Sequence, residues 1–202
     1  TPTGWRYFCN LLDEGLVDLC GEESFGTSSS HTREKDGLWA VLFWLNLVAV
    51  TGRPVAGLVE DHWRRFGRHA FARHDWHIPD GERAAGIMQA LERGLEGFAG
   101  APAGDGRIAR ADSFTYHDPV DQAESRGQGI RMFMDDGSRI VYRLSGTGTE
   151  GATLRVYLER YLPPDAAHQG TGPELTAELG RAAAQLARIR ELAGVSAPAG
   201  VI

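Results

Sequence analysis

The segment from Arg143 to Thr149 combines residue types that bind phosphate. It reads Arg-Leu-Ser-Gly-Thr-Gly-Thr. Glycines free the backbone N–H groups to form an anion-binding concavity, and the hydroxyls and the guanidinium supply further donors. Arg155 follows on the next segment and would reach the same anion if the two strands folded side by side. We therefore predict a phosphate site here; the alternative is a glycine-rich hairpin whose hydroxyls are only solvated.

The segment from Gly146 to Gly151 also matches the dinucleotide-binding pattern G-x-G-x-x-G. In dinucleotide-binding proteins that pattern follows a strand and opens a helix. Here it opens residues 152–157, Ala-Thr-Leu-Arg-Val-Tyr, which favour a β-strand. We therefore reject the dinucleotide interpretation.

A second group of polar residues lies nearer the N-terminus. Glu22, Glu23 and Ser24 precede residues 31–36, His-Thr-Arg-Glu-Lys-Asp, so carboxylates, hydroxyls and cations are close in sequence. Sugar hydroxyls need such a mixture of hydrogen-bond acceptors and donors. Taken alone, however, the same residues fit better a polar loop that leads into the charged first turn of a helix.

Two other chemistries use residue types found in this chain. Adjacent carboxylates such as Glu22 and Glu23 do not provide the separation that a glycosidase pair needs across a scissile bond. Three histidines suggest a metal site, but on a strand His69 and His77 share one face while His74 points to the other. We therefore expect surface or packed histidines and no metal site in this chain.

The elements that must position the polar loop follow from hydrophobic spacing. A helix is predicted from about Glu34, with Thr32 as its N-cap. Apolar side chains occupy all of its faces, which predicts that it is buried nearly all round. A second helix is predicted from Val55 to Arg65, ending at Gly67.

The sequence after Gly67 predicts an α+β domain. Its predicted elements are a strand over 68–78, a helix over 81–98, a short strand over 113–116, strands over 130–134 and 139–144, a strand over 152–161 and a helix from Pro173. Residues Asp135-Asp136-Gly137 give a strong hairpin signal between two of these strands. This order indicates an antiparallel sheet with flanking helices. We predict two domains, an α/β segment over 1–67 and an α+β domain over 68–202.

The composition narrows the classes of partner. A chain of 202 residues with 42% hydrophobic residues can bury one sizeable core or two modest ones. A net charge of -6 argues against nucleic acid. The longest apolar stretch, Leu38 to Val50, is shorter than the roughly 20 residues needed to cross a bilayer, so no membrane partner is expected. Only two cysteines and no basic-then-apolar leader favour a cytoplasmic location.

Five blocks in this sequence, in order, resemble the phosphoglucomutases of the phosphohexomutase superfamily. The resemblance covers nearly the whole chain and is far more specific than any single motif. The blocks are residues 1–5 (Thr-Pro-Thr-Gly-Trp), 20–27 (Cys-Gly-Glu-Glu-Ser-Phe-Gly-Thr), 33–42 (Arg-Glu-Lys-Asp-Gly-Leu-Trp-Ala-Val-Leu), 116–121 (Tyr-His-Asp-Pro-Val-Asp) and 143–148 (Arg-Leu-Ser-Gly-Thr-Gly).

The resemblance implies roles for particular residues. Glu22 and Ser24 would belong to the sugar-binding loop, and Thr3 and Lys35 would make further substrate contacts. The residues implied to hold the non-transferred phosphate are Arg143, Ser145, Gly146, Thr147 and Arg155. The resemblance also implies that the chain completes a third α/β domain and contains a fourth domain with an antiparallel sheet.

The resemblance further implies an activity and its cofactors. The parent enzyme would interconvert glucose 1-phosphate and glucose 6-phosphate through glucose 1,6-bisphosphate, with Mg²⁺ as cofactor. No stretch of this sequence resembles the Thr-Ala-Ser-His-Asn-Pro segment that carries the phosphoserine or the Asp-Gly-Asp-Gly-Asp-Arg loop that holds Mg²⁺. We expect those elements in missing N-terminal domains of the same enzyme, and no turnover by this chain alone. The alternatives are a non-catalytic sugar-phosphate-binding module and a phosphohexomutase of different sugar specificity.

Overall fold

The structure is a computed structural model that describes residues 1–22, 24–148 and 151–202, and it does not describe the side chains of residues 147 and 148. The described chain forms two compact units. Unit 1 contains residues 1–65 and 115–126, and unit 2 contains residues 66–114 and 127–202. That residues 1–67 and 68–202 are separate folding domains stays a prediction.

Unit 1 is built from helices and two short hairpins. Its small core contains Trp5, Leu12 and Cys20, with Phe8, Cys9 and Val17 packed against it. Asn10 donates hydrogen bonds from Nδ2 to the carboxylates of Asp118 and Asp121, so the segment 115–126 is bonded to the first helix. The elements are α1 (Arg6–Asp13), β1 (Leu19–Gly21), β2 (Thr27–Ser29), α2 (Gly37–Thr51), α3 (Val55–Phe66), β6 (Tyr116–His117) and β7 (Glu124–Ser125).

Helix α2 corrects two predictions. It begins at Gly37 and not near Glu34, and its N-cap is Asp36 and not Thr32, because the Asp36 carboxylate directly precedes the helix and accepts a hydrogen bond from Trp39 N at 2.9 Å. No residue of α2 is buried within the described chain, and Leu38 is 80% exposed. The apolar pattern shows what the helix is suited to bury, whereas burial needs a covering layer that the described residues do not supply.

None of the described helices alone has the length and hydropathy to span a bilayer. Helices α2 and α3 meet that criterion only when they are taken together, and the pair is bent by 82°.

Unit 2 is dominated by one antiparallel sheet of seven strands. The strand order is β11-β3-β10-β9-β8-β5-β4, and every neighbouring pair is antiparallel. The strands are β3 (Arg68–Ile78), β4 (Pro102–Ala103), β5 (Gly106–Ser113), β8 (Ile130–Met134), β9 (Arg139–Gly148), β10 (Gly151–Leu162) and β11 (Gly200–Val201). The helices are α4 (Gly81–Arg93), a 3₁₀ turn (Leu95–Gly97), α5 (Gly172–Leu175), α6 (Ala177–Leu186) and α7 (Ile189–Ala193).

The sheet of unit 2 has one covered face and one open face. Strand β3 confirms the predicted alternation, since Ala70, Ala72, Trp76 and Ile78 are buried on the covered face, which also carries the half-buried His74. The residues that face the open side are Phe71, Arg73, Asp75 and His77. Helices α4, α6 and α7 contribute Ile87, Leu91, Leu179, Ala183 and Ile189 to the same core as the inward strand residues. The predicted α+β domain with an antiparallel sheet and flanking helices is confirmed.

Several predicted boundaries in unit 2 are wrong. The final helix is broken into three, because Thr176 and Arg188 leave helical geometry and Arg188 takes a positive φ of 49°. The predicted helix over 81–98 ends at Arg93 and continues only as a 3₁₀ turn. The predicted strand over 113–116 is the gap between β5, which ends at Ser113, and β6, which begins at Tyr116. The alternation of charged and small residues along β5 concealed that strand.

The stability of unit 2 is expected to fall as the pH drops below about 6.5. His74 lies on the covered face of β3, so close to α6 that a Cβ on Gly180 would meet its Cε1 at 2.4 Å. Burial lowers the pKa of His74, and the neighbouring Asp75 charge offsets this only in part. The folded state therefore binds this proton less readily than the unfolded state, whose histidine pKa is about 6.5. Stability is fully present above that pH and is lost as the pH falls through the folded-state pKa.

The pH dependence is measured as the thermal unfolding midpoint between pH 7.5 and pH 5. We expect His74→Gln to flatten the decline. The matched control is His77→Gln, on the exposed side of the same strand, which should keep the wild-type slope. Equal slopes for wild type and His74→Gln would contradict the assignment.

Candidate functional site

The predicted phosphate segment is part of a strand and not a loop. Strand β9 continues from Arg139 to Gly148, and Ser145 lies opposite Thr153 on β10. The ladder shifts register between Gly151 and Thr153, and Gly146 takes a φ of 68°. A glycine with positive φ at such a shift is typical of a bulge, which lets the β-prone flanks pair through the glycine-rich segment. The side chain of Thr147, and Glu23, Thr149 and Glu150 altogether, lie outside the described residues.

Three charged residues form one row across the open face of the sheet. Arg155 on the central strand β10 lies opposite Arg143 on β9 and opposite Asp75 on β3. Directly opposed residues of neighbouring strands point to the same face, so all three side chains share the open side. Like charges in opposed positions destabilise a sheet, and an anion between the two guanidinium groups would remove that cost.

Polar side chains form the adjacent row on the same face. Ser145 lies opposite Thr153, which in turn lies opposite His77. Hydroxyl and imidazole groups therefore lie two residues along the strands from the two arginines, on the same face of the sheet. The structure thus brings Arg143, Ser145 and Arg155 together, as the sequence predicted.

The open face is rich in arginine, and most of its arginines are hydrogen-bonded to carboxylates. Arg73 binds Asp75 in a bidentate pair at 2.9 and 3.0 Å, and Arg131 binds Asp112 at 2.7 and 3.0 Å. Burial alone would raise the pKa of Asp112, but its hydrogen bonds and charge interactions with Arg131 and Arg110 leave that pKa below its usual value. The remaining carboxylate pair joins Arg139 to Glu159 at 2.5 Å.

Arg143 and Arg155 differ from these paired arginines. Among the described residues no ion pair involves Arg143, and the nearest carboxylate oxygen of Arg155 is Asp75 Oδ1 at 4.0 Å from its Nε. The Nε atom of Arg155 is buried and has no hydrogen-bond partner in the described part of the chain. A buried guanidinium N–H without an acceptor is costly, and a bound anion would satisfy it. Arg155 and the neighbouring Arg143 together offer the fork of donors that phosphate recognition uses.

The polar loop of unit 1 connects β1 to β2. Glu22 N donates to Gly26 O at 2.9 Å, and Phe25 N donates to Glu22 O at 3.1 Å, so the loop is closed by its own backbone. The Glu22 side chain is only 8% exposed, and its Oε2 lies 2.6 Å from Lys35 Nζ. The structure therefore joins two of the predicted substrate residues, Glu22 and Lys35, in one ion pair.

The other predicted residues of unit 1 lie at the surface. Ser24 is exposed within the same loop, and Thr3 is exposed in the bend before α1. His31, next to this loop in sequence, pairs with Asp36 Oδ2 at 3.0 Å and stacks on Trp39. Its role is therefore to anchor the start of α2.

Replacing Gly26 by alanine is expected to destabilise unit 1 by about 1–3 kcal/mol, the cost of leaving a buried polar group without its partner. A Cβ at Gly26 would lie 2.6 Å from Lys35 Cδ, so the lysine must move away from Glu22. Urea unfolding followed by tryptophan fluorescence measures the change. The control is Gly21→Ala, whose Cβ would make only an ordinary contact with Thr27 Oγ1 at 3.7 Å. Equal losses in the two variants would contradict the assignment.

Some residues of the open face give no functional signal in the sequence. Strand alternation puts Asp75 and His77 on one face of β3, but the partners of that face depend on the strand order. Thr153 was not selected, although it lies opposite Ser145. Strand alternation was the only available signal. For metal ions, the described residues contain no group of three His, Cys, Asp or Glu side chains that could serve as ligands.

Two family models together match almost the whole chain. Residues 1–66 match the phosphoglucomutase/phosphomannomutase alpha/beta/alpha domain III, and residues 68–199 match the phosphoglucomutase-1 C-terminal domain. Among curated relatives, a phosphoglucomutase from Rhizobium radiobacter is 55% identical over 170 residues, which are 84% of this chain and 31% of that protein. A cytoplasmic phosphoglucomutase from Pisum sativum is 42% identical over 212 residues, with 98% of this chain and 36% of that protein covered.

A solved structure of a phosphoglucomutase is also similar to this chain in fold and in sequence. The open form of the exocytosis-sensitive phosphoprotein pp63/parafusin, a phosphoglucomutase from Paramecium, has a TM-score of 0.89 and 39% sequence identity with this chain. The match covers 100% of this chain and 35% of that structure. The chain thus spans about a third of the length of these relatives.

Proposed function

Because this chain belongs to the phosphoglucomutase family, an isomerase family, we propose that it is the substrate-recognition part of an enzyme that interconverts glucose 1-phosphate and glucose 6-phosphate. In this proposal the reaction passes through glucose 1,6-bisphosphate. The observation that carries it is the pair of opposed arginines, Arg143 and Arg155, for which the described part of the chain supplies no closely bound carboxylate of the kind that the other arginines of the open face have.

The arginine pair and its polar neighbours would hold the phosphate that is not transferred. Each guanidinium offers parallel N–H donors to two phosphate oxygens, and Ser145 adds a hydroxyl from the adjacent row. The bulged backbone at Gly146 exposes this part of β9. These donors recognise a phosphate group and no feature of the sugar. They therefore accept a phosphate on either end of the hexose, as an intermediate that turns around between two transfers requires.

The loop of unit 1 would supply the sugar contacts. Glu22 offers carboxylate oxygens to hydroxyl donors, and the ion pair with Lys35 holds that carboxylate in place. Ser24, exposed in the same loop, can donate or accept a hydrogen bond. Such groups accept hydroxyls presented in more than one orientation. We propose Thr3 as a further contact from the family resemblance alone.

The family resemblance also implies Mg²⁺, and the described residues do not fit a magnesium site. They contain no group of three carboxylate, histidine or cysteine side chains that could hold a metal ion. We therefore assign no step of phosphoryl transfer to this chain. We propose that the metal ligands and the phosphoserine belong to other domains of the same enzyme, and that the enzyme is cytoplasmic, as the name of its Pisum sativum relative states.

An assay of the longer protein that contains this chain tests the proposed function. With Mg²⁺ and glucose 1,6-bisphosphate present, we expect glucose 1-phosphate to be converted more efficiently than mannose 1-phosphate or N-acetylglucosamine 1-phosphate. A preference for another hexose would reassign the sugar specificity. Phosphate-ester binding without turnover of any hexose phosphate would instead support a non-catalytic binding module.

A further inference from the structure

The Asp75 carboxylate stands between Arg73 and Arg155 on the open face of unit 2. We propose that Asp75 is a positioning residue for phosphate recognition, which holds the Arg155 guanidinium beside Arg143 in the orientation that an incoming phosphate requires. This inference rests on the proposed function, in which Arg143 and Arg155 bind the phosphate of a hexose phosphate.

The position of Asp75 is itself fixed. Arg73, two residues earlier on the same strand, donates from Nε to Asp75 Oδ1 at 2.9 Å and from its Nη2 to Oδ2 at 3.0 Å. The backbone is held as well, because Ala199 N donates to Asp75 O at 2.8 Å where β11 pairs with β3. With two hydrogen bonds to its carboxylate and one to its backbone carbonyl, Asp75 is a rigid reference point for a neighbouring cation.

Arg155 is close enough to be oriented by Asp75 but is not bound by it. Its Nε lies 4.0 Å from Asp75 Oδ1, which is beyond hydrogen-bond distance but within ion-pair range. The Arg155 side chain is still 38% exposed, so its remaining donors can meet a ligand. The attraction therefore restricts the guanidinium without saturating its N–H groups.

The Asp75 carboxylate also reduces the electrostatic repulsion between Arg143 and Arg155 when no phosphate is bound. Arg155 and Arg143 occupy opposed positions, where two like charges repel each other. Asp75, opposed to Arg155 on its other side, partly neutralises that repulsion. Without it, we expect Arg155 to turn away from Arg143, which would remove one arm of the phosphate site.

A positioning role and a purely electrostatic role of Asp75 predict opposite changes in phosphate affinity for the variant Asp75→Asn. A carboxylate that acted only by its charge would repel phosphate, so its removal would tighten binding. A carboxylate that orients Arg155 predicts weaker binding after the same change. The variant keeps the size of the side chain and one oxygen acceptor for Arg73, so the comparison isolates the charge and the orientation it imposes.

The test titrates inorganic phosphate into the ¹⁵N-labelled 202-residue chain and follows the backbone amides of Ser145 and Gly146. We expect Asp75→Asn to raise the dissociation constant about 3- to 10-fold, in the range of coupling between neighbouring residues. In an Arg155→Ala background Asp75→Asn should have no further effect. Asp75→Glu should restore part of the affinity. The control is Asp112→Asn, which removes a carboxylate of the same face that binds Arg131 and Arg110 and should not weaken phosphate binding.

A second readout separates orientation from general structure. The Arg155 Nε–Hε signal should lose its defined position in Asp75→Asn, while the amide signals of the covered core of the sheet stay unchanged. Unchanged or tighter phosphate binding in Asp75→Asn, with binding weakened in Arg143→Ala and Arg155→Ala, would overturn this inference alone. Failure of the wild-type chain to bind phosphate, or wild-type binding by both arginine variants, would overturn the proposed function and this inference with it.

Discussion

The 202-residue chain is expected to show no interconversion of glucose 1-phosphate and glucose 6-phosphate, even with Mg²⁺ and glucose 1,6-bisphosphate supplied. Phosphoryl transfer depends on an in-line donor and on charge stabilisation at the transferring oxygens, commonly by a metal ion. No segment of this sequence resembles the family's phosphoserine segment or its metal-binding loop. The groups that we propose for the two units would bind and orient a substrate, and none of them is a phosphoryl donor.

A coupled assay that follows the formation of glucose 6-phosphate measures this prediction. The control is the longer protein that contains the chain, assayed under the same conditions, which should turn over. Turnover by the 202-residue chain above the background without protein would contradict the prediction, because it would require a donor among residues to which we assign only binding.

Replacing Arg143 by alanine in the longer enzyme is expected to lower kcat/KM by roughly 10- to 100-fold in both directions. The loss of a hydrogen bond to a charged group costs about 1.5–3 kcal/mol, which corresponds to that range. The two directions should lose similar factors, because in the proposed function each substrate places its non-reacting phosphate on the same arginine pair. Arg143→Lys should recover only part of the loss, since an ammonium keeps the charge but not the planar fork.

The matched comparison for Arg143→Ala is Glu22→Gln in unit 1. This variant should impair turnover, because it alters the predicted sugar-binding loop, while it leaves the binding of inorganic phosphate almost unchanged. A loss confined to one direction in Arg143→Ala, or wild-type values in both, would show that the phosphate assignment of Arg143 is wrong.

Strand β3 and the hairpin after β8 show what local sequence can predict. The alternation of Ala70, Ala72, Trp76 and Ile78 with polar residues predicts the full extent of β3, because a strand with one buried face has an apolar residue at every second position. The Asp-Asp-Gly turn is equally clear in the sequence, because such a turn needs a residue that tolerates a positive φ. In the structure Gly137 has that conformation. Signals of this kind are contained within a few neighbouring residues.

The errors concern features that depend on distant residues. The final helix breaks at Arg188 without a glycine or proline to indicate it, since Arg188 itself takes the left-handed conformation that glycine usually adopts. Strand β5 was missed because its outward residues are the charged Arg110 and Asp112, which are stabilised by partners on the strand and on β8. Helix α2 shows the converse, an apolar pattern without a covering layer among the described residues.

The candidate site likewise has some features that local sequence predicts and others that depend on distant residues. Residue types in the segment from Arg143 to Arg155 predicted an anion site, and the structure places both arginines on one face. The contribution of Asp75 could not be predicted, since it depends on the pairing of β3 with β10 about 80 residues later in the chain. Which arginines have no bonded carboxylate among the described residues is likewise a property of the assembled sheet.

Chemical-shift mapping of the ¹⁵N-labelled 202-residue chain with glucose 1-phosphate and glucose 6-phosphate tests the central claim most directly. If the opposed arginines contact only the phosphate group, both ligands should shift the same backbone amide signals of unit 2, among them those of Ser145, Gly146 and Thr153. Glucose without phosphate should leave those amides unchanged. Shifts at a different surface of unit 2, or at different residues for the two esters, would contradict the claim that Arg143 and Arg155 form one phosphate site for either end of the hexose.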